Sequence, residues 1–123
     1  MAQRLPPQLE AKLVEAQKLQ DELNRVAQER VALESEKAEI ERVLRLLDEV
    51  QVNEVYRSVG GILVKVPKDK VVNELKDRLE LLEIRLEKLR KQESQLKQRL
   101  EKLISEIREE QTRLQQLGKK GGG

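Results

Sequence analysis

The chain has 123 residues, of which 39% are charged and only 1% aromatic, so it lacks the bulky residues that fill an ordinary globular core. It contains no cysteine and no histidine, which excludes disulfides and thiolate metal sites and removes the commonest general base. Basic and acidic residues nearly balance, 25 against 23, and are interleaved, which argues against a dedicated nucleic-acid surface.

The first element predicted is a helix over about 8–48. Pro6 and Pro7 are tolerated in a first helical turn and not inside a helix, so the helix starts beside them. Leu9, Ala16, Leu19, Leu23, Val26, Leu33, Ile40, Leu44 and Leu47 follow a heptad, which lays a narrow apolar seam along one side of the helix. No apolar stretch approaches the ~20 residues that span a bilayer. The segment from Met1 to Gln8 lacks the apolar core of a secretory signal, and a cytoplasmic location is expected.

A β-hairpin is predicted over 52–66. Val55-Tyr56-Arg57-Ser58-Val59 and Ile62-Leu63-Val64-Lys65-Val66 are rich in β-branched residues and alternate in polarity. Gly60-Gly61 between them suits a two-residue primed turn. Val55, Arg57 and Val59 share one strand face, and Ile62, Val64 and Val66 share another. An isolated two-stranded hairpin is marginal in water and leaves both edges open, so this one needs neighbours.

The second helix is predicted over 69–117, with Asp69 as N-cap and Gly118 as a left-handed C′ residue. Its heptad is stricter: Val72, Leu75, Leu79, Leu82, Leu86, Leu89, Leu96, Leu100, Leu103, Ile107, Leu114 and Leu117 alternate by three and four, and only Glu93 and Glu110 interrupt with charge. If the two helices fold back on one another, Arg30 falls within a layer of Glu93 and Lys12 within a layer of Glu110. Opposite charges in an apolar seam specify register and orientation. Lys37 has no evident seam partner and is expected to snorkel to the rim. Residues 118–123 are expected to form a flexible tail.

Together these elements predict one domain, mainly α: an antiparallel helical coiled-coil hairpin with a β-hairpin at its bend. The arms have nearly equal lengths, so both termini meet at one tip. There Leu5, Leu9, Leu13, Leu114 and Leu117 can widen the seam into an open apolar strip. No phosphate loop, metal-ligand cluster or catalytic constellation is present, since Gly60-Gly61 leads into a strand and not a helix. Neither an enzyme nor a cofactor is expected.

From Pro7 to Leu117 the chain resembles the β subunits of archaeal prefoldin. The most specific part is the hairpin Val55-Tyr56-Arg57-Ser58-Val59-Gly60-Gly61-Ile62-Leu63-Val64-Lys65-Val66, followed by Asp69-Lys70-Val71-Val72-Asn73-Glu74-Leu75 at the entry to the second helix. The resemblance implies a hexamer of two α and four β subunits whose hairpins join into a β-barrel platform carrying coiled-coil tentacles. It implies an ATP-independent holdase that captures non-native proteins between its tips and delivers them to a group II chaperonin. Assembly would then fall to Val55, Tyr56, Val59, Ile62, Leu63, Val64 and Val66, and client capture to Leu5, Leu9, Leu13, Leu114 and Leu117. The alternative is a structural protein whose hairpins polymerise into filaments.

Overall fold

A computed structural model describes residues 5–121, with side chains through residue 118. The element order is α1 (Pro7–Glu49), β1 (Glu54–Val59), β2 (Ile62–Pro67) and α2 (Lys68–Gly121). Two long helices with one antiparallel β-hairpin between them is the predicted fold class. The described residues fall into two compact units: a terminal unit of residues up to 28 together with those from 90 onward, and a hairpin unit of 29–89.

Helix α1 begins where proline requires. The Pro6 carbonyl accepts the first helical hydrogen bond, from the Glu10 amide at 3.0 Å, and Pro7 occupies the position whose missing N–H costs nothing. In the terminal unit Leu9, Leu19, Leu23 and Val26 of α1 are buried, as are Leu96, Leu100, Leu103 and Ile107 of α2. All are heptad positions, so the seam is the core. In the hairpin unit Ile40 and Leu47 are buried with Leu82, Leu86 and Leu89, and Leu82 and Leu86 expose no surface at all.

The strands pair antiparallel with Val59 opposite Ile62 and Val55 opposite Val66. Gly60 and Gly61 have φ of 55° and 82°, two successive left-handed residues of the kind a type I′ turn needs. Residues directly opposite share a sheet face. The register therefore brings Val55, Arg57 and Val59 onto the same face as Ile62, Val64 and Val66, rather than leaving the two triplets separate.

Two predicted helix ends are corrected. Helix α2 starts at Lys68, so Asp69 lies inside the first turn, where its charge still favours the positive end of the helix dipole. At the other end α2 continues past Gly118 to Gly121, and Gly118 has no positive φ. Glycine permits a left-handed cap but does not impose one; here the helical ladder carries on to Gly121. Gly122 and Gly123 lie outside the described residues.

Candidate interaction surfaces

Apolar surface left open, rather than a cleft with reactive groups, distinguishes this chain. Among the described residues no three or more side chains of metal-ligating type converge, and no helix is long and apolar enough to cross a membrane. A shallow groove of about 450 Å³ on the terminal unit is lined by Glu22, Gln92, Leu96, Arg99 and Lys102.

The first open surface is the hairpin. On one face, Val55, Arg57 and Val66 near its base are half-buried, while Val59, Ile62 and Val64 further out are exposed. Arg57 ion-pairs with Glu74 of α2, which aims this apolar face at the flank of α2 that carries Glu74. The opposite face carries Glu54, Tyr56, Ser58, Leu63 and Lys65, with a Lys65–Glu54 pair at 3.8 Å, and Tyr56 and Leu63 stand out from it. Thus the seven residues expected to mediate assembly are divided between both faces: Val55, Val59, Ile62, Val64 and Val66 on one, Tyr56 and Leu63 on the other.

Lysine 68 anchors the hairpin base. Its amide donates to the Asn53 carbonyl at 2.9 Å, and its Nζ donates to the Val50 carbonyl at 2.8 Å. The last turn of α1 has no basic residue of its own, so Lys68 supplies from α2 the cation that a helix C-terminus favours. Nothing in the heptad pattern pointed to this residue; a lysine directly after Pro67 was the only trace.

The second open surface lies in the terminal unit. Leu5, Leu13 and Leu114 are partly exposed and Leu117 is 66% exposed. Val14 and Ile104 add to them. Leu9, grouped with these by its place in the sequence, is instead fully buried. It occupies a seam position, where a leucine closes the helix pair instead of facing outward.

Ion pairs set the helices against each other within each unit. Lys12 pairs with Glu110 and lies 3.9 Å from Glu106. The hydrogen bond to Glu110 holds the Lys12 ammonium above the usual lysine range. In the hairpin unit Arg78 makes a two-pronged contact with Glu36, at 2.9 and 3.2 Å, and Lys37 reaches Glu83 at 3.9 Å. Glu83 is not a seam residue, so Lys37 reaches out to the rim as expected and finds its partner there on the other helix. Arg30 bridges Glu34 on its own helix at 3.2 Å.

The prefoldin subunit family matches residues 10–114, nearly the whole described chain. The chain belongs to the prefoldin subunit family. It is similar to prefoldin subunit beta of Sulfurisphaera tokodaii, with 41% identity over 110 residues covering 89% of this chain and 88% of that one. Prefoldin subunit beta of Saccharolobus islandicus is 43% identical over the same length, with 89% and 87% covered. The crystal structure of the prefoldin beta subunit from Thermococcus strain KS-1 superposes with a TM-score of 0.77 at 35% identity, covering 88% of this chain and 96% of that chain. The prefoldin beta2 subunit of the same strain gives 0.65 at 26% identity, over 73% and 97%. Family membership makes the chain a chaperone-type subunit, a component of a prefoldin complex with other subunits.

Proposed function

We propose that the chain is an assembling subunit of an ATP-independent holdase that works in the cytoplasm. Its hairpin joins those of other subunits, two α-type with four of its own kind, into a β platform. Leu5, Leu13, Leu114 and Leu117 take hold of non-native proteins, with Leu9 bracing the helices beneath them. Clients pass onward to a group II chaperonin.

One observation carries this proposal: Leu5, Leu13, Leu114 and Leu117 stand exposed towards the terminal ends of two helices whose outer positions are mostly charged. A soluble protein that leaves such residues open beside one another uses them for binding. Each patch is small, and its grip on a client is weak. Several patches held by one platform raise one another's effective concentration, so a large client is retained while every single contact stays reversible. Release then needs no nucleotide, only transfer to a tighter acceptor.

The test is light scattering of a denatured protein diluted into the chain, alone and with an α-type subunit. The double variant Leu13→Ser, Leu117→Ser is expected to lose protection while keeping the assembly mass. Unchanged protection would place capture elsewhere. Mass measured against concentration separates a closed assembly, which holds a fixed value, from a filament, which grows.

A further inference from the structure

We propose that an amide-lined groove on the terminal unit holds the main chain of a non-native protein in extended form, by hydrogen bonds to its peptide groups and without regard to its sequence. The inference rests on the proposed holdase role and deepens it: the leucines take apolar side chains, and the groove takes backbone.

Composition points to this unit. Eleven of the chain's twelve glutamines fall in the terminal unit and only Gln51 in the hairpin unit, although the two are about equal in length. Glutamine is a good helix former, but both units consist largely of helix, so helix propensity does not account for so uneven a division.

Three of these glutamines stand together. Gln92, Gln95 and Gln98 lie on adjoining lines along one side of α2, and all three line the groove of about 450 Å³ beside the buried Leu96. All three are exposed, and among the described residues none of them has a hydrogen-bond partner. On α1, by contrast, Gln17 donates to Asp21 at 3.0 Å and Gln20 to Asn24 at 2.9 Å.

The groove runs on toward the open leucines. Arg99 and Lys102 line it and also line a neighbouring groove of about 270 Å³, together with Leu103 and Glu106. Three heptads beyond Gln95, on the same line of α2, comes Gln116, next to Leu117. From Gln98 to Leu114 the helix rises about 24 Å, a distance that about seven extended residues span. One client segment therefore reaches both surfaces.

Chemistry selects the occupant. A carboxamide offers donors and an acceptor and carries no charge. An unfolded chain presents the matching groups, one N–H and one C=O at every residue except proline. Against an apolar client, amides also cost less to desolvate than ammonium or carboxylate groups. Arg99 and Lys102 share the groove with Glu22, which leaves little net charge to select an anionic partner.

The experiment measures fluorescence anisotropy of a labelled peptide of leucine, alanine and serine, and of the same peptide N-methylated at alternate amides. N-methylation removes backbone donors and keeps the side chains. Each peptide is titrated with the chain assembled with an α-type subunit. The forms compared are wild type, the groove variant Gln92→Ala, Gln95→Ala, Gln98→Ala, the opposite-side variant Ser94→Ala, Lys97→Ala, Glu101→Ala, and the tip variant Leu13→Ser, Leu117→Ser. Alanine keeps helix propensity at exposed positions, and circular dichroism checks the fold. Wild type is expected to prefer the unmethylated peptide. The groove variant is expected to bind it about tenfold more weakly, a shift of about 1.4 kcal/mol, and to lose the preference, while the opposite-side variant matches wild type.

If wild type binds both peptides alike, if the groove variant keeps wild-type affinity or the preference, or if the opposite-side variant weakens equally, the groove is overturned. The holdase reading then stands where wild type protects a denatured protein from aggregation and the tip variant does not. Wild type that protects a denatured protein yet binds neither peptide overturns the groove alone. Wild type that neither protects nor binds overturns both.

Discussion

Lys12 on α1 and Glu110 on α2 ion-pair across the terminal unit from positions that the heptad otherwise fills with aliphatic residues. The pair sits among buried neighbours such as Leu9, Leu103 and Ile107, yet its own side chains stay 30% and 23% exposed. Half-wet pairs of this kind contribute modestly to stability and strongly to register, because any slip sets a lone charge against leucine. Glu110→Lys is therefore expected to lower the melting temperature and to increase mispaired species, as read by circular dichroism and by cross-linking of the helices.

The same pair predicts an alkaline limit. The folded-state pKa of Lys12 is raised, first by its hydrogen bond to Glu110, so its stabilisation is fully present below the ordinary lysine value and is lost as pH rises through the folded one. Wild type and Lys12→Met should converge in melting temperature only above about pH 10.5, the ordinary lysine range. A gap between them that is unchanged at high pH would show that Lys12 acts through packing of its stem.

At the acid end Glu39 behaves in the opposite sense. Its hydrogen bond to Arg42 lowers the carboxyl pKa, so its contribution is present above the ordinary glutamate range and fades as pH falls through the depressed value. Both groups are exposed, so Glu39→Gln should change the melting temperature little at neutral pH, and titration by NMR is the direct check.

Leu86 and Ile84 make a matched contrast two residues apart on α2. Leu86 exposes nothing and Ile84 is 61% exposed. Leu86→Ala is expected to cost about 2–5 kcal/mol in urea unfolding, since it leaves a cavity in a one-seam core. Ile84→Ala should stay within about 0.5 kcal/mol for the isolated chain.

At the turn, Gly60 and Gly61 both need positive φ, and the space around each is open. Gly60→Asn should be tolerated, because Asn enters the left-handed region readily. Gly60→Val should cost about 1–2 kcal/mol through backbone strain alone. Hydrogen exchange of the strand amides distinguishes the two.

Much of this architecture was legible because heptads and glycine turns are local patterns. The seam leucines announced both helices, and Gly60-Gly61 between alternating strands announced the hairpin, but not that its two apolar triplets share one face. Contacts that depend on single side-chain placement were not legible. Arg78–Glu36 and Lys37–Glu83 each need a helix register known to one residue, which the heptad alone leaves open by a whole repeat, and Arg57–Glu74 needs the angle of the hairpin to α2. Leu9 shows the limit at the candidate site. Its neighbours in sequence near the terminus are open, but its heptad position buries it, so periodicity was the better guide than position in the chain.

Lys68 has a consequence for chain length. Through its amide and its ammonium it holds Asn53 and Val50, so the number of residues between the end of α1 and the start of α2 sets how the helices mesh. Surface connections usually absorb an inserted residue at little cost. Here one extra residue near 51 or 52 would either break the Lys68 clasp or slide α2 against α1, pulling Arg78 off Glu36 and misaligning every leucine layer of the hairpin unit. The exposed link behaves like a gear tooth: replaceable in identity, intolerant of any change in count.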